Sequence, residues 1–171
     1  HPDRFELSAE RVFTYLGYQA EHLGGPGNTD VLVHYSHKPG QQRRFIVDTK
    51  ASAVGSVTDS MIQIPALKDH TKKHNADFAV VVANAFSGRI IDWAAQNGVM
   101  LVDVKHLSEI VNRQTRTPAP LSAVTAYFAG KEDAWTALQV EWRERDDSVN
   151  LLSEVVDCLR REHRTPDDET G

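Results

Sequence analysis

The sequence has a single cysteine, Cys158, in 171 residues. No disulfide can form within the chain, which excludes a disulfide-stapled secreted scaffold and favours a reducing, cytoplasmic setting. No run approaches the ~20 apolar residues that cross a bilayer as a helix, and no charged-then-apolar leader opens the chain. Neither membrane insertion nor secretion is expected. Charge of one sign is also lacking: 19 Lys+Arg stand against 24 Asp+Glu, a net charge of −5. A large basic binding face is therefore not expected, although carboxylates clustered for a metal would lower the net charge in the same way. Repeats and low-complexity tracts are missing as well. What is there, 40% apolar and 25% charged residues, is the composition of an ordinary globular domain. A chain of this size buries roughly two-thirds of its unfolded surface without disulfides or a structural metal. It begins at His1 without methionine, and a further domain outside this sequence is expected.

The apolar pattern predicts an α/β core. Phe5, Ala9, Val12, Phe13 and Leu16 share one helix face that ends at Gly17, with Asp3 as the expected N-cap. Three β-type runs follow, Tyr18 to His22, Val31 to Tyr35 and Phe45 to Thr49, separated by Gly-, Pro- and Asn-rich turns that predict an antiparallel meander. A polar helix to about Asn75 contains Pro65, which either kinks it or marks its first turn. Phe78 to Ala83 and Val99 to Val102 read as buried strands joined by a helix through Ile90, Trp93 and Ala94, a parallel, right-handed βαβ unit. A short helix from His106 to Asn112 closes the core, expected to span residues 1–114. Residues 115–120, with Pro118 and Pro120, read as a linker and 121–164 as a C-terminal helical extension. There Trp135, Leu138 and Trp142 share one face, and Val149, Leu152, Val156 and Leu159 another; most of these are expected to pack on the core. Residues 165–171 lack an apolar anchor and read as a disordered tail.

Three residues carry chemistry. Asp30 opens the second strand, while Asp48 and Lys50 lie two apart on the third and project from one face. Neighbouring carboxylates repel unless a hard cation lies between them. Mg²⁺ takes oxygen ligands while keeping several waters, so the Thr49 carbonyl suits a third protein ligand. A lysine beside such an ion can orient or deprotonate an attacking water and stabilise phosphoryl charge. These parts suit phosphodiester hydrolysis.

An acid at the start of one strand, then Asp-x-Lys one hairpin later on an apolar strand, resembles the signature of the PD-(D/E)XK nuclease superfamily, with Thr29 where the nominal pattern has proline. Read in order, Phe5-Glu6, Leu16-Gly17-Tyr18, His22-Leu23-Gly24-Gly25, Asp30 and Ile46-Val47-Asp48-Thr49-Lys50-Ala51 resemble the FokI-type (type IIS) cleavage domain. Ala76 to Val82, Phe86-Ser87-Gly88 and Gly98 to Asp103 resemble Mrr-type restriction nuclease domains. The similarity covers roughly residues 4 to 112. It implies a restriction-endonuclease-like core of helix, three-stranded meander, helix, strand, helix and strand. It also implies a metal-dependent endodeoxyribonuclease, with Asp30, Asp48 and Lys50 in the catalytic positions, Mg²⁺ as cofactor with Mn²⁺ as a substitute, and 5′-phosphate and 3′-hydroxyl products. An acidic residue on the first helix often joins the metal site in this superfamily. Glu6 occupies that place, with Glu10 one turn further on as the alternative, and capping-box spacing from Asp3 is the competing use of Glu6.

DNA-contact candidates are Gln63, Lys72, Lys73, Ser87 and Arg89, with Arg43 and Arg44 as further phosphate binders. His70 and His74 have i, i+4 spacing for zinc but no evident third ligand, and read as a solvated helix surface. No helix-turn-helix, zinc-finger spacing or basic helix is present, so sequence recognition is expected in another domain. The expected partners are double-stranded DNA and, for double-strand cleavage, a transient second copy. Two alternatives stand beside this reading: a modification-dependent or repair nuclease of the same fold, and a catalytically silent DNA-docking domain.

Overall fold

The first helix, α1, spans Pro2–Tyr15 in the computed structural model, which describes residues 2–25, 27–38, 40–52 and 55–162. A proline that opens a helix forfeits no intrahelical bond. The helix therefore starts before Asp3, and the expected cap lies inside it. The buried residues Ala9, Phe13 and Leu16 form the stripe that faces the sheet.

Strands β1 (Gln19–His22), β2 (Val31–Lys38) and β3 (Gln41–Lys50) form the expected antiparallel meander. β2 and β3 are longer than their apolar runs. Beyond the pairing of Arg43 with Tyr35, their outer arm, with Gln42 on Ser36, is solvent-facing and has no apolar alternation to reveal it. A 3₁₀ turn at Asp59–Met61 precedes α2 (Ile64–Lys73), whose first turn holds Pro65; of the two roles expected for that proline, it marks the helix start. β4 (Ala79–Ala83), α3 (Ile90–Gln96) and β5 (Val99–Asp103) complete the sheet, in the order β1-β2-β3-β4-β5. β3, β4 and β5 run parallel, as a strand–helix–strand crossover requires.

The sheet is covered on both faces. Val31, Val33, Phe45, Val47, Val80, Val82 and Val102 meet α1 and three C-terminal helices: α4 (Val104–Arg116), α5 (Leu121–Phe128) and α6 (Ala134–Glu162). Leu32, Ile46, Val81 and Ala83 meet Ile62, Ile64 and Leu67 around α2, and Ile90 and Ala94 of α3. α4 extends past the expected helix at both ends; it starts earlier because Asp103 caps it, accepting from the His106 N–H at 2.8 Å.

Residues 115–120 do not hang free. Thr115 and Arg116 belong to α4, Thr117 and Ala119 are buried, and Ala119 exchanges hydrogen bonds with the Gln114 amide. Phe128, Leu138 and Trp142 are fully buried in the same cluster as Phe13 and Phe45, so the beginning of α6 belongs to the core. The segment 165–171, expected as a tail, lies outside the described residues.

Candidate active site

Side-chain alternation along β3 sends Phe45 and Val47 to one face and Ile46, Asp48 and Lys50 to the other. The second face is the one α2 and α3 cover. Asp48 therefore reaches the edge of an apolar layer, and is only 8% exposed. Extending the β2–β3 register by one residue from Val31↔Val47 sets Asp30 opposite Asp48. The Asp30 carboxylate is fixed from β3: its Oδ2 accepts from the Thr49 N–H at 2.6 Å and the Thr49 hydroxyl at 2.8 Å. Thr29, in the position where the nuclease pattern has proline, is wholly buried and donates its hydroxyl to the Val47 carbonyl at 3.0 Å. It ties the approach to β2 onto β3 just as the site begins.

Asp48 Oδ2 lies 2.5 Å from Lys50 Nζ. The Lys50 ammonium is the partner of this buried oxygen. Burial pushes the Asp48 carboxyl above its ordinary value, the Lys50 ammonium opposes that shift, and the nearby Asp30 carboxylate adds to it. A buried carboxylate with a second carboxylate beside it is an environment a cation relieves.

Asn28, Asp30, Asp48, Lys50, Met61, Gln63, Ala66, Leu67 and His70 line one cavity of about 300 Å³. Three sequence-predicted catalytic residues, Asp30, Asp48 and Lys50, thus converge with Gln63. His70 was expected on a solvated surface, yet it lines the cavity and its Nδ1 is buried without a partner. The signal for it was spacing: Gln63, Leu67 and His70 fall at i, i+4 and i+7, one face of α2. His74 continues that face with a buried, unpartnered Nε2; burial lowers its pKa, as do Lys73, His70 and Arg44.

The remaining candidates lie elsewhere or serve the framework. Glu6 is not among the cavity residues. Its Oε2 meets His22 Nε2 at 2.9 Å, which replaces the capping-box use with a tie between α1 and β1. A Cβ on Gly24, where φ is +52°, would come within 3.0 Å of that imidazole, so the loop needs glycine to pass over the pair. Lys73 Nζ bonds Asn28 Oδ1 at 2.6 Å, pinning the loop before Asp30 to α2, while Lys72 is exposed. Ser87 Oγ donates to Ser56 Oγ, and Arg89 pairs with Asp59 at 3.0 Å, outside the cavity. Among the described residues, no group of three or more His, Cys, Asp or Glu side chains forms a metal-binding cluster. Among those residues, His70 and His74 belong to no such group. Two carboxylates and a backbone carbonyl suit instead a hard cation that keeps much of its water. No described helix is long and apolar enough to cross a membrane.

The sequence matches the FokI cleavage domain over residues 1–133. No curated protein matches it significantly. The fold is similar to that of restriction endonuclease FokI bound to DNA, with a TM-score of 0.58, 16% identity and coverage of 72% of this chain and 26% of that one. A second FokI structure gives a TM-score of 0.61 at 17% identity, covering 74% of this chain and 27% of FokI. The chain therefore spans about a quarter of the length of those structures.

Proposed function

We propose that this chain, which belongs to the FokI cleavage-domain family, is the cutting domain of a larger restriction-type enzyme, hydrolysing DNA phosphodiesters with a divalent cation, Mg²⁺ first. The observation that carries this reading is the convergence of Asp30, Asp48 and Lys50 in one cavity, with the buried Asp48 carboxylate paired to the Lys50 ammonium. Asp30, Asp48 and the Thr49 carbonyl would hold the ion. When bound, it supplies Lewis-acid stabilisation of the phosphoryl oxygen and acidifies water.

The chain's own groups do the rest. Thr49 holds the Asp30 carboxylate in place through two hydrogen bonds. The Lys50 ammonium donates hydrogen bonds to the attacking water and to a non-bridging oxygen, where charge grows in the transition state. Gln63, which lines the cavity, offers a neutral amide to the scissile phosphate or its neighbour. The water oxygen bonds to phosphorus as the bond to the 3′-oxygen breaks; the water gives up a proton to solvent and the departing 3′-oxygen takes one up, leaving a 5′-phosphate and a 3′-hydroxyl. Recognition of sequence belongs to a separate domain of the parent protein. A double-strand break requires two such sites, hence a second copy.

The test is conversion of supercoiled plasmid to nicked and linear forms by the purified chain in Mg²⁺, in Mn²⁺ and in EDTA. Cleavage that persists in EDTA, or that is undiminished in Asp48→Asn, would overturn the reading.

A further inference from the structure

α6 is 29 residues long, and only its beginning is covered. Ala134, Leu138 and Trp142 are buried against the core, and Trp142 Nε1 reaches Gln114 Oε1 at 3.2 Å. Asp146 is the last tie, accepting from Arg113 Nη1 at 2.9 Å and from the Thr117 hydroxyl at 2.7 Å. From Asp147 through Arg161 every residue is exposed. This part of the helix stands in solvent and lies beyond the FokI-like residues 1–133.

A helix of this length without packing is marginal in water. Its composition is not that of a solvent-bridging helix either. Val149, Leu151, Leu152 and Leu159 are 52%, 63%, 64% and 56% exposed, with Val155 and Val156 also uncovered. They are arranged, not scattered. Val149, Leu152, Val156 and Leu159 are spaced 3, 4 and 3 apart, the a and d positions of a heptad, in the same frame as the half-buried Trp135 and the buried Leu138 and Trp142. One seam therefore runs the whole helix: the core covers its first half, and Arg145, paired with Glu141, separates the halves.

We propose that the exposed half of α6 pairs with the same segment of a second copy, the two helices antiparallel about a two-fold axis near Glu154. This orientation sets Val149 against Leu159 of the other copy and Leu152 against its Val156, so that every a residue meets a d residue. The flanking positions select it too. Antiparallel pairing places Asp146 and Arg160 on facing edges at both ends of the contact and brings the two Val155 side chains together at the axis. Arg160 has only a 3.8 Å approach to Asp157 within its own helix, which leaves it free for this use. Parallel pairing would bring the Asp146-Asp147 segments together, oppose Arg160-Arg161 to its like, and set Val155 beside Arg160. Charge therefore favours a second copy run in reverse.

The apolar stripe amounts to several hundred Å² per copy, below the ~800 Å² per partner of a standard stable interface. The association is thus weak and concentration-dependent. It does not depend on the nuclease reading, because its test involves neither metal nor DNA.

Sedimentation of residues 1–171 from micromolar to several hundred micromolar measures it. The wild-type chain should pass from monomer to dimer over that range. Leu152→Glu should weaken dimerisation by more than about ten-fold, as charge in the centre of a small apolar contact does, while leaving the far-UV circular dichroism of the core in place. Arg160→Glu should weaken it less, by several-fold. Orientation is read by oxidation of single-cysteine chains in a Cys158→Ser background. Val155→Cys should form an intermolecular disulfide readily, and Leu152→Cys poorly. A wild-type chain that stays monomeric throughout, or a dimer unmoved by Leu152→Glu, would overturn the pairing. Preferential cross-linking of Leu152→Cys would overturn the antiparallel arrangement.

Discussion

Asp48→Asn should make the metal-free chain more stable and the metal-loaded chain less stable. The substitution keeps the shape of the side chain and removes its charge. In the wild-type chain burial raises the Asp48 pKa, with Asp30 adding to the shift and Lys50 opposing it. The folded state then holds this proton to higher pH than the unfolded state does. Stability falls as pH rises through the window between the ordinary carboxylate value and the raised one, and the penalty is complete above the raised value. Removing the charge lifts the penalty but leaves Lys50 without its 2.5 Å partner. The gain amounts to about 1.4 kcal/mol for each unit by which the pKa is raised, and each kcal/mol is about 3 °C in Tm for a domain of this size. Towards pH 4 the gain should vanish. Saturating Mg²⁺, at a hundred times its Kd, should stabilise the wild-type chain by about 2.7 kcal/mol and the variant by little, which inverts their order. Thermal melts at pH 4 and pH 7, in EDTA and in Mg²⁺, measure all four states, and plasmid cleavage should be lost with the variant. A variant less stable than wild type in EDTA at pH 7, yet raised equally by Mg²⁺, would refute both the electrostatics and the ligand assignment.

Lys50→Ala should retain Mg²⁺ binding by calorimetry while cleavage falls by about 10²–10³, the loss typical of one transition-state hydrogen-bond donor. Thr49→Val removes one of the two donors to Asp30 Oδ2. Cleavage should fall several-fold, on the order of 1 kcal/mol, and Thr49→Ser should restore it. Trp142→Ala empties a site that is 1% exposed between α4 and α6, and urea unfolding should show a loss of about 3–5 kcal/mol.

The elements legible in the sequence were those whose pattern is local. The apolar run of β4, the Asn97-Gly98 stop after α3 and the alternation about Asp48 each follow from the period of one element. Asp30, Asp48 and Lys50 could be brought together because a hairpin leaves few ways to place them. Three features escaped for physical reasons. Beyond Tyr35, which packs on Tyr18 and Phe45, the outer arm of β2 and β3 is polar on both faces, so its pairing has no hydrophobic signature. The Pro118–Pro120 stretch reads as a linker, but it is held by the Gln114 side chain five residues earlier, a contact no composition reveals. His70 sits among lysines in sequence, and it reaches the cavity because α2 crosses the end of β3. Glu6 illustrates the converse: its capping-box spacing was real, yet tertiary contact with His22 decided its use.

The two carboxylates of the site sit on separate strands and are aligned only by the pairing of β2 with β3, with Thr49 and Thr29 as the pins. A slip of that hairpin by a single residue would turn Asp48 and Lys50 to the opposite face and detach Asp30 from its donors. Assembly of the candidate site is therefore a check on strand register. Under the proposed function, a nascent or misfolded chain, whatever helices it has formed, has no assembled centre with which to cut DNA.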